Sequence, residues 1–227
     1  MRTADDLIER FRADVDDRAY DPDDESDLLY TRKDIEHYLV ESQRRFVAET
    51  HYLHEVLRET VVANDPIVRL SRRVLEIRGR TAYLVTADVR LEERAANEIY
   101  AGGDDYGQTL GANPFSSDRT GRPLWFTADL DTDEIHLFPT PEVDDTLVFS
   151  AYIEAPDSCM LIIRNPRHIN MLLDGMKAMA YRKQDSDAYD PNQAERWERR
   201  FQDNIDEVYS ERQRRRRKPG LIRYGGL

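Results

Sequence analysis

Cysteine is nearly missing from this chain. Cys159 stands alone among 227 residues, so no intramolecular disulfide forms and no cysteine cluster holds a metal. Lysine is scarce too, confined to Lys33, Lys177, Lys183 and Lys218, while arginine is plentiful. With so much aspartate, that bias fits either a GC-rich genome or a salt-adapted host. The net charge is −12, which excludes a protein whose whole surface grips nucleic acid or an anionic membrane. No apolar run approaches the roughly 20 residues of a membrane span. Met1-Arg-Thr-Ala-Asp-Asp6 opens a helix and lacks the apolar centre of a signal peptide. Motifs of chemistry are absent as well: no phosphate loop, dinucleotide fingerprint, nucleophile elbow or zinc-protease helix is written anywhere. Ser158-Cys159 has no glycine elbow, and the carboxylates are too scattered to single out an acid/base pair. These absences predict a soluble protein that is not an enzyme, needs no cofactor or metal, and stays inside a cell or inside a particle built in one.

Hydrophobic residues make up 40% and charged residues 34%, enough for a substantial core under a very polar surface. Helix starts are well marked. Thr3 with Asp6, and Thr31 with Asp34, have the spacing of capping boxes, aspartate replacing the usual Glu or Gln. The first opens a short helix with Leu7, Ile8, Phe11 and Val15 on one face. The second opens a long helix through Ile35, Tyr38, Leu39, Ser42, Phe46 and Leu53. Asn165-Pro166 and Asp190-Pro191 are a third and fourth start, each pairing a capping side chain with a ring that fixes φ. Behind them run the stripes Ile169, Leu172, Met176, Met179 and Ala194, Trp197, Phe201, Ile205, Val208. Two such helices joined by a short turn pair as an αα-hairpin.

Between these ends the period changes. Arg78-Gly-Arg80 reads as a turn before a strand at Tyr83-Leu-Val85, and Val89 to Tyr100 as a helix stopped by Gly102-Gly103. Loop follows to Leu124. Three strands then show alternation: Leu124–Asp129, Glu134–Phe138 and Thr146–Glu154. The predicted fold class is therefore α+β, mainly α. Two N-terminal helices (residues 1–64) and a C-terminal helical hairpin (157–213) form a helical bundle. A small antiparallel β insertion with a short helix and a long loop (65–156) interrupts it, and an extended C-terminal arm (214–227) ends it.

Two clusters resemble ion sites and are read otherwise. His51 and His54, one turn apart on the expected helix, lack the acid or cysteine that would complete a zinc set, and count as ordinary histidines. Asp16 to Ser26 lacks the alternating ligands and turning glycine of a calcium loop. The sharp feature is basic: Arg212, Arg214, Arg215, Arg216, Arg217 and Lys218, then Leu221, Ile222, Arg223 and Tyr224. A helix dipole favours cations at its C-terminus by only about 0.3–1 kcal/mol each, fading within a turn, so it does not account for so many. This end reads as a docking arm for acidic protein or for nucleic-acid phosphate.

The run Tyr181-Arg-Lys-Gln-Asp-Ser-Asp-Ala-Tyr-Asp-Pro-Asn-Gln-Ala-Glu-Arg196 resembles the helix joint of tailed-phage head-to-tail adaptor (connector) proteins. So do Ile135-His-Leu-Phe-Pro-Thr-Pro141, Asp145-Thr-Leu-Val-Phe-Ser-Ala-Tyr152 and Ala155-Pro156, with the specific likeness running from Trp125 to Phe201. The resemblance implies a structural virion protein of the neck, assembled in the host cytoplasm. It implies a ring of twelve copies under the portal that extends the DNA channel and seats a tail or stopper protein. Its partners would then be itself, the portal, the tail-side protein and genomic DNA passing without specific binding, with no membrane. The portal-binding arm would be Arg214, Arg215, Arg216, Arg217, Lys218, Leu221, Ile222, Arg223 and Tyr224. The alternative is a DNA-binding packaging protein such as a small terminase subunit, which would place the arginines on DNA.

Overall fold

The computed structural model describes residues 3–17, 28–95, 120–184 and 189–216. The chain divides into two compact units: residues 1–52 with 155–227, and residues 53–154.

The first unit is helical. It holds α1 (Ala4–Asp14), α2 (Arg32–Thr50), α3 (Pro166–Ala180) and α4 (Pro191–Arg216). Both expected capping boxes form, with the Thr3 and Thr31 hydroxyls accepting from the Asp6 and Asp34 N–H groups at 3.1 and 3.2 Å. Asn165 caps α3 by accepting from the Arg167 N–H at 3.0 Å, and Asp190 caps α4 by accepting from those of Asn192 and Gln193, both at 3.0 Å. One core joins all four helices, through Phe11, Leu39, Phe46, Leu172, Met176 and Phe201. The closest approach is at Gly175 of α3. A Cβ there would lie 2.9 Å from Phe201 Cε1 and 2.9 Å from Ser42 Oγ, so glycine is what lets the three helices meet.

Trp197 departs from its expected place in the core. Ala194, Phe201, Ile205 and Val208 are buried, but Trp197 sits at the flank of that stripe and is half-buried. The Lys177 ammonium lies 4.3 Å and the Arg200 guanidinium 5.3 Å from its ring. Its role is to hold cations, whose charge favours the ring face.

The second unit overturns the expectation of a mainly helical bundle with a small antiparallel insertion. Among the described residues of the whole chain strand accounts for 29% and helix for 40%, and in this unit a large mixed sheet of seven strands curls nearly into a barrel. Its strands are β1 (His54–Val61), β2 (Ile67–Arg69), β3 (Val74–Leu84), β4 (Val89–Glu93), β6 (Trp125–Asp129), β7 (Glu134–Phe138) and β9 (Asp145–Ile153), while β5 (Thr120–Gly121) and β8 (Thr140–Pro141) form a separate parallel pair. The order is β1-β9-β3-β4-β6-β7-β2, antiparallel except between β4 and β6. The two ends of that order are tied together: the buried Glu59 carboxylate of β1 accepts from the N–H and hydroxyl of Ser71, just past β2, at 3.0 and 2.6 Å. Val61, Leu91, Phe126, Ile135 and Leu147 fill the interior.

Three local corrections made this sheet larger than expected. α2 stops at Thr50, with His51 in the left-handed region (φ 51, ψ 44), so His54 opens a strand and shares no helix with His51. Arg78-Gly79-Arg80 is an irregularity within the single strand β3, where Gly79 and Arg80 take φ 75 and 52, and not a hairpin turn. Val89–Glu93 is strand although Arg-Leu-Glu-Glu favours helix, because alternation buries Val89 and Leu91 inside the sheet unit. Arg94 and Ala95 follow it without helix, and residues 96–100 of that expected helix lie outside the described residues.

Candidate interaction site at the end of the long helix

The helix starts set by Asn165 and Asp190 make α3 and α4 an antiparallel pair, so the first turn of α3 lies beside the last third of α4. Arg167 shows this directly, with Nη2 on Glu207 at 2.6 Å and Nη1 on Glu211 at 3.7 Å. One turn further, Arg215 Nη2 reaches the same Glu211 at 3.4 Å. The Arg212 guanidinium lies over the Tyr52 ring at 5.1 Å. The His168 ring packs edge-on against Tyr52 at 5.4 Å and, tilted, against Phe46 at 5.5 Å.

Arginine dominates the charge at this end. Arg164, Arg167, Arg212, Arg214 and Arg215 lie near this end; Arg167 pairs with Glu207 and Glu211 and Arg215 with Glu211, and the first turn of α3 has no acid of its own. His168 records the excess. Burial first, then Arg167, Arg212 and Arg215, hold its pKa below the ordinary histidine value, with Glu211 opposing. Burial raises the Tyr52 phenol, and Arg212 offsets part of that rise. Arginine forks held on a helix recognise carboxylates or phosphates.

Of the residues expected in the arm, Arg214 and Arg215 are exposed on the last turn of α4, and Arg216 is its final residue. Arg214 has no acidic partner among the described residues, whereas Arg215 is tied to Glu211. Arg217, Lys218, Leu221, Ile222, Arg223 and Tyr224 lie outside the described residues. Arg164, Arg167, Tyr52 and His168 were missed because they come from distant parts of the sequence; Arg167, directly after the Asn165-Pro166 helix start, was the available signal. Among the described residues no group of three or more His, Cys, Asp or Glu side chains is placed to hold a metal.

The sequence matches the SU10 adaptor protein family over residues 2–223. The chain belongs to that family. It is thus a phage adaptor protein, a structural component of the virion that contacts other head and tail proteins of the phage. Phage adaptors of this kind are typically not enzymes. No curated protein matches the adaptor's sequence. Among the described residues, no helix of the adaptor is long and apolar enough to cross a membrane.

Proposed function

We propose that this adaptor joins head to tail as a dodecameric ring in the neck, seated under the portal after assembly in the host cytoplasm. The ring extends the DNA channel and gives the tail or a stopper protein its platform. The observation that carries the reading is the family match across residues 2–223, almost the whole chain. The charge distribution agrees with it. A net charge of −12 suits a channel wall that repels DNA phosphates and lets the genome slide without specific contacts. The portal contact is assigned to the arm, from Arg214, Arg215, Arg216, Arg217 and Lys218 to Leu221, Ile222, Arg223 and Tyr224. The arginine-rich end of α4 would present that arm to an acidic or apolar groove of the portal.

The test mixes the full chain with purified portal and measures the mass and symmetry of the product. A portal-bound ring is expected for the full chain. A chain truncated after Gln213 should melt like the full chain, since it keeps every core residue of α4, and should no longer attach. Normal attachment by the truncated chain refutes the arm assignment. A full chain that ignores portal but binds DNA tightly, with affinity falling steeply as salt rises, refutes the adaptor ring.

A further inference from the structure

Four loops at one end of the sheet unit are tied into a single rim by their own hydrogen bonds. The Ala63 N–H donates to Asp144 Oδ1 at 2.8 Å, and the Asn64 N–H to the Pro141 carbonyl at 2.7 Å. The Val85 N–H reaches the Thr146 carbonyl at 3.1 Å. The buried Asp145 carboxylate accepts from the N–H groups of Thr86, Ala87 and Thr146 at 2.7, 2.9 and 2.6 Å. Burial works to raise its pKa, but the N–H bonds outweigh burial and hold it below the ordinary carboxylate value, so it stays an anion at neutral pH. Arg122 brings in the fourth loop, its Nη2 donating to the Ala87 and Asp88 carbonyls at 2.6 and 3.1 Å.

This fixed rim is apolar where a surface is ordinarily polar. Val62, Val85, Leu124 and Val143 are 53%, 45%, 45% and 59% exposed. Beside Val143 opens a cavity of about 110 Å³ whose apolar lining is Leu84, Ala87, Pro123, Pro141 and Val143, with Arg122, Glu142 and Asp145 as its polar lining. A cavity of roughly 150 Å³ holds a benzene molecule, so this one suits a single branched aliphatic side chain. Around it Asp65, Asp88, Glu142 and Asp144 are exposed, and none is ion-paired among the described residues. Among the described residues Arg122 is the one cation on these loops, and its guanidinium is engaged with carbonyls. The backbone donors are already satisfied, so docking would bury apolar surface without first ordering the loops.

We propose that this rim is a second docking surface, which takes an apolar side chain carried on a basic segment of the tail-side protein. The inference rests on the adaptor reading, in which the arm serves the portal and a second interface must serve the tail. The test joins purified adaptor-loaded heads to purified tails and counts complete particles by electron microscopy. Val143→Asp and Leu124→Asp change exposed positions, so the melting temperature should hold while joining falls at least tenfold and the adaptor content of the heads stays normal. Glu142→Lys should lower joining several-fold and weaken its dependence on salt, because one carboxylate of the rim becomes a cation. Normal joining by both aspartate variants overturns the proposal. So does loss of adaptor from the heads in those variants, which would place the rim on the portal side. A synthetic peptide of residues 217–227 that binds the full chain, but not Val143→Asp, would make the occupant the chain's own tail and also overturn it. Wild-type heads that carry no adaptor at all would instead refute the adaptor reading.

Discussion

Gly175→Ala sets helix propensity against packing, and the structure decides the sign. In an exposed helix interior the change would stabilise by about 1 kcal/mol, since alanine loses less backbone freedom. Here the new Cβ would stand 2.9 Å from Phe201 Cε1, 3.0 Å from Phe201 Cδ1 and 2.9 Å from Ser42 Oγ. Neither wall has room to retreat, because Phe201 and Ser42 are only 1% and 2% exposed. Forcing a methyl into such a core costs about 1–3 kcal/mol. The net expectation is a loss of up to about 2 kcal/mol, or about 2–4 °C of melting temperature per kcal/mol for a chain of this size. Thermal and urea melts of the full chain measure it. Ser42→Ala is the control: it removes the Oγ that makes one contact, and that oxygen has no hydrogen-bond partner to lose. The double variant should therefore be more stable than the sum of the single changes predicts. A Gly175→Ala chain that melts at or above the wild-type temperature would refute the close-packing argument.

Trp197→Ala should cost about 1–2 kcal/mol, since a half-buried ring holding cations loses less than a core ring. Phe201→Ala in the same helix should cost about 3–5 kcal/mol; equal losses by denaturant titration would contradict the difference in burial. Glu59→Ala leaves the Ser71 N–H and hydroxyl without their acceptor, so about 1–3 kcal/mol is expected, with faster hydrogen exchange along β1 and β2. Unchanged exchange there would mean the ends of the sheet are held by other contacts. His168 titrates below its ordinary value in the folded chain, so the unfolded chain binds its proton first. Its contribution is complete above about pH 6.5, the unfolded value, and is lost as pH falls through the lower folded value. His168→Phe should flatten the stability profile between about pH 7 and pH 5, and an unaltered slope would show that other groups set it.

The helices were largely legible because their signals are local. Thr31 with Asp34, Asn165 with Pro166 and Asp190 with Pro191 act within one turn, and the buried stripes behind them recur at helical spacing. The sheet was harder to see. His54–Val61 does carry alternation at Leu57, Glu59 and Val61, but the capped helix before it invites continuation. Only the left-handed His51 ends that helix, and nothing in the neighbouring residues demands it. Val89–Glu93 is the opposite case, in which good helix formers yield to a hairpin with β3, where Val89 and Leu91 pair with Leu84 and Ala82, and to pairing with β6 more than 30 residues on.

The candidate site divides along the same line. The basic run from Arg212 onward stands out because charge is read directly from residue type. That Arg167 pairs with Glu207, that His168 lies against Tyr52, and that Trp197 leaves the core for Lys177 all depend on how α2, α3 and α4 pack. By itself the sequence determined where four helices begin, which sign of charge prevails, and that an arginine-rich end stands apart from an acidic chain. Only the tertiary structure decided that the described part of the middle is built on one curved sheet with an apolar, acid-rimmed end. Capping is a one-turn interaction and charge is additive, whereas strand pairing and rim geometry exist only once distant segments have met.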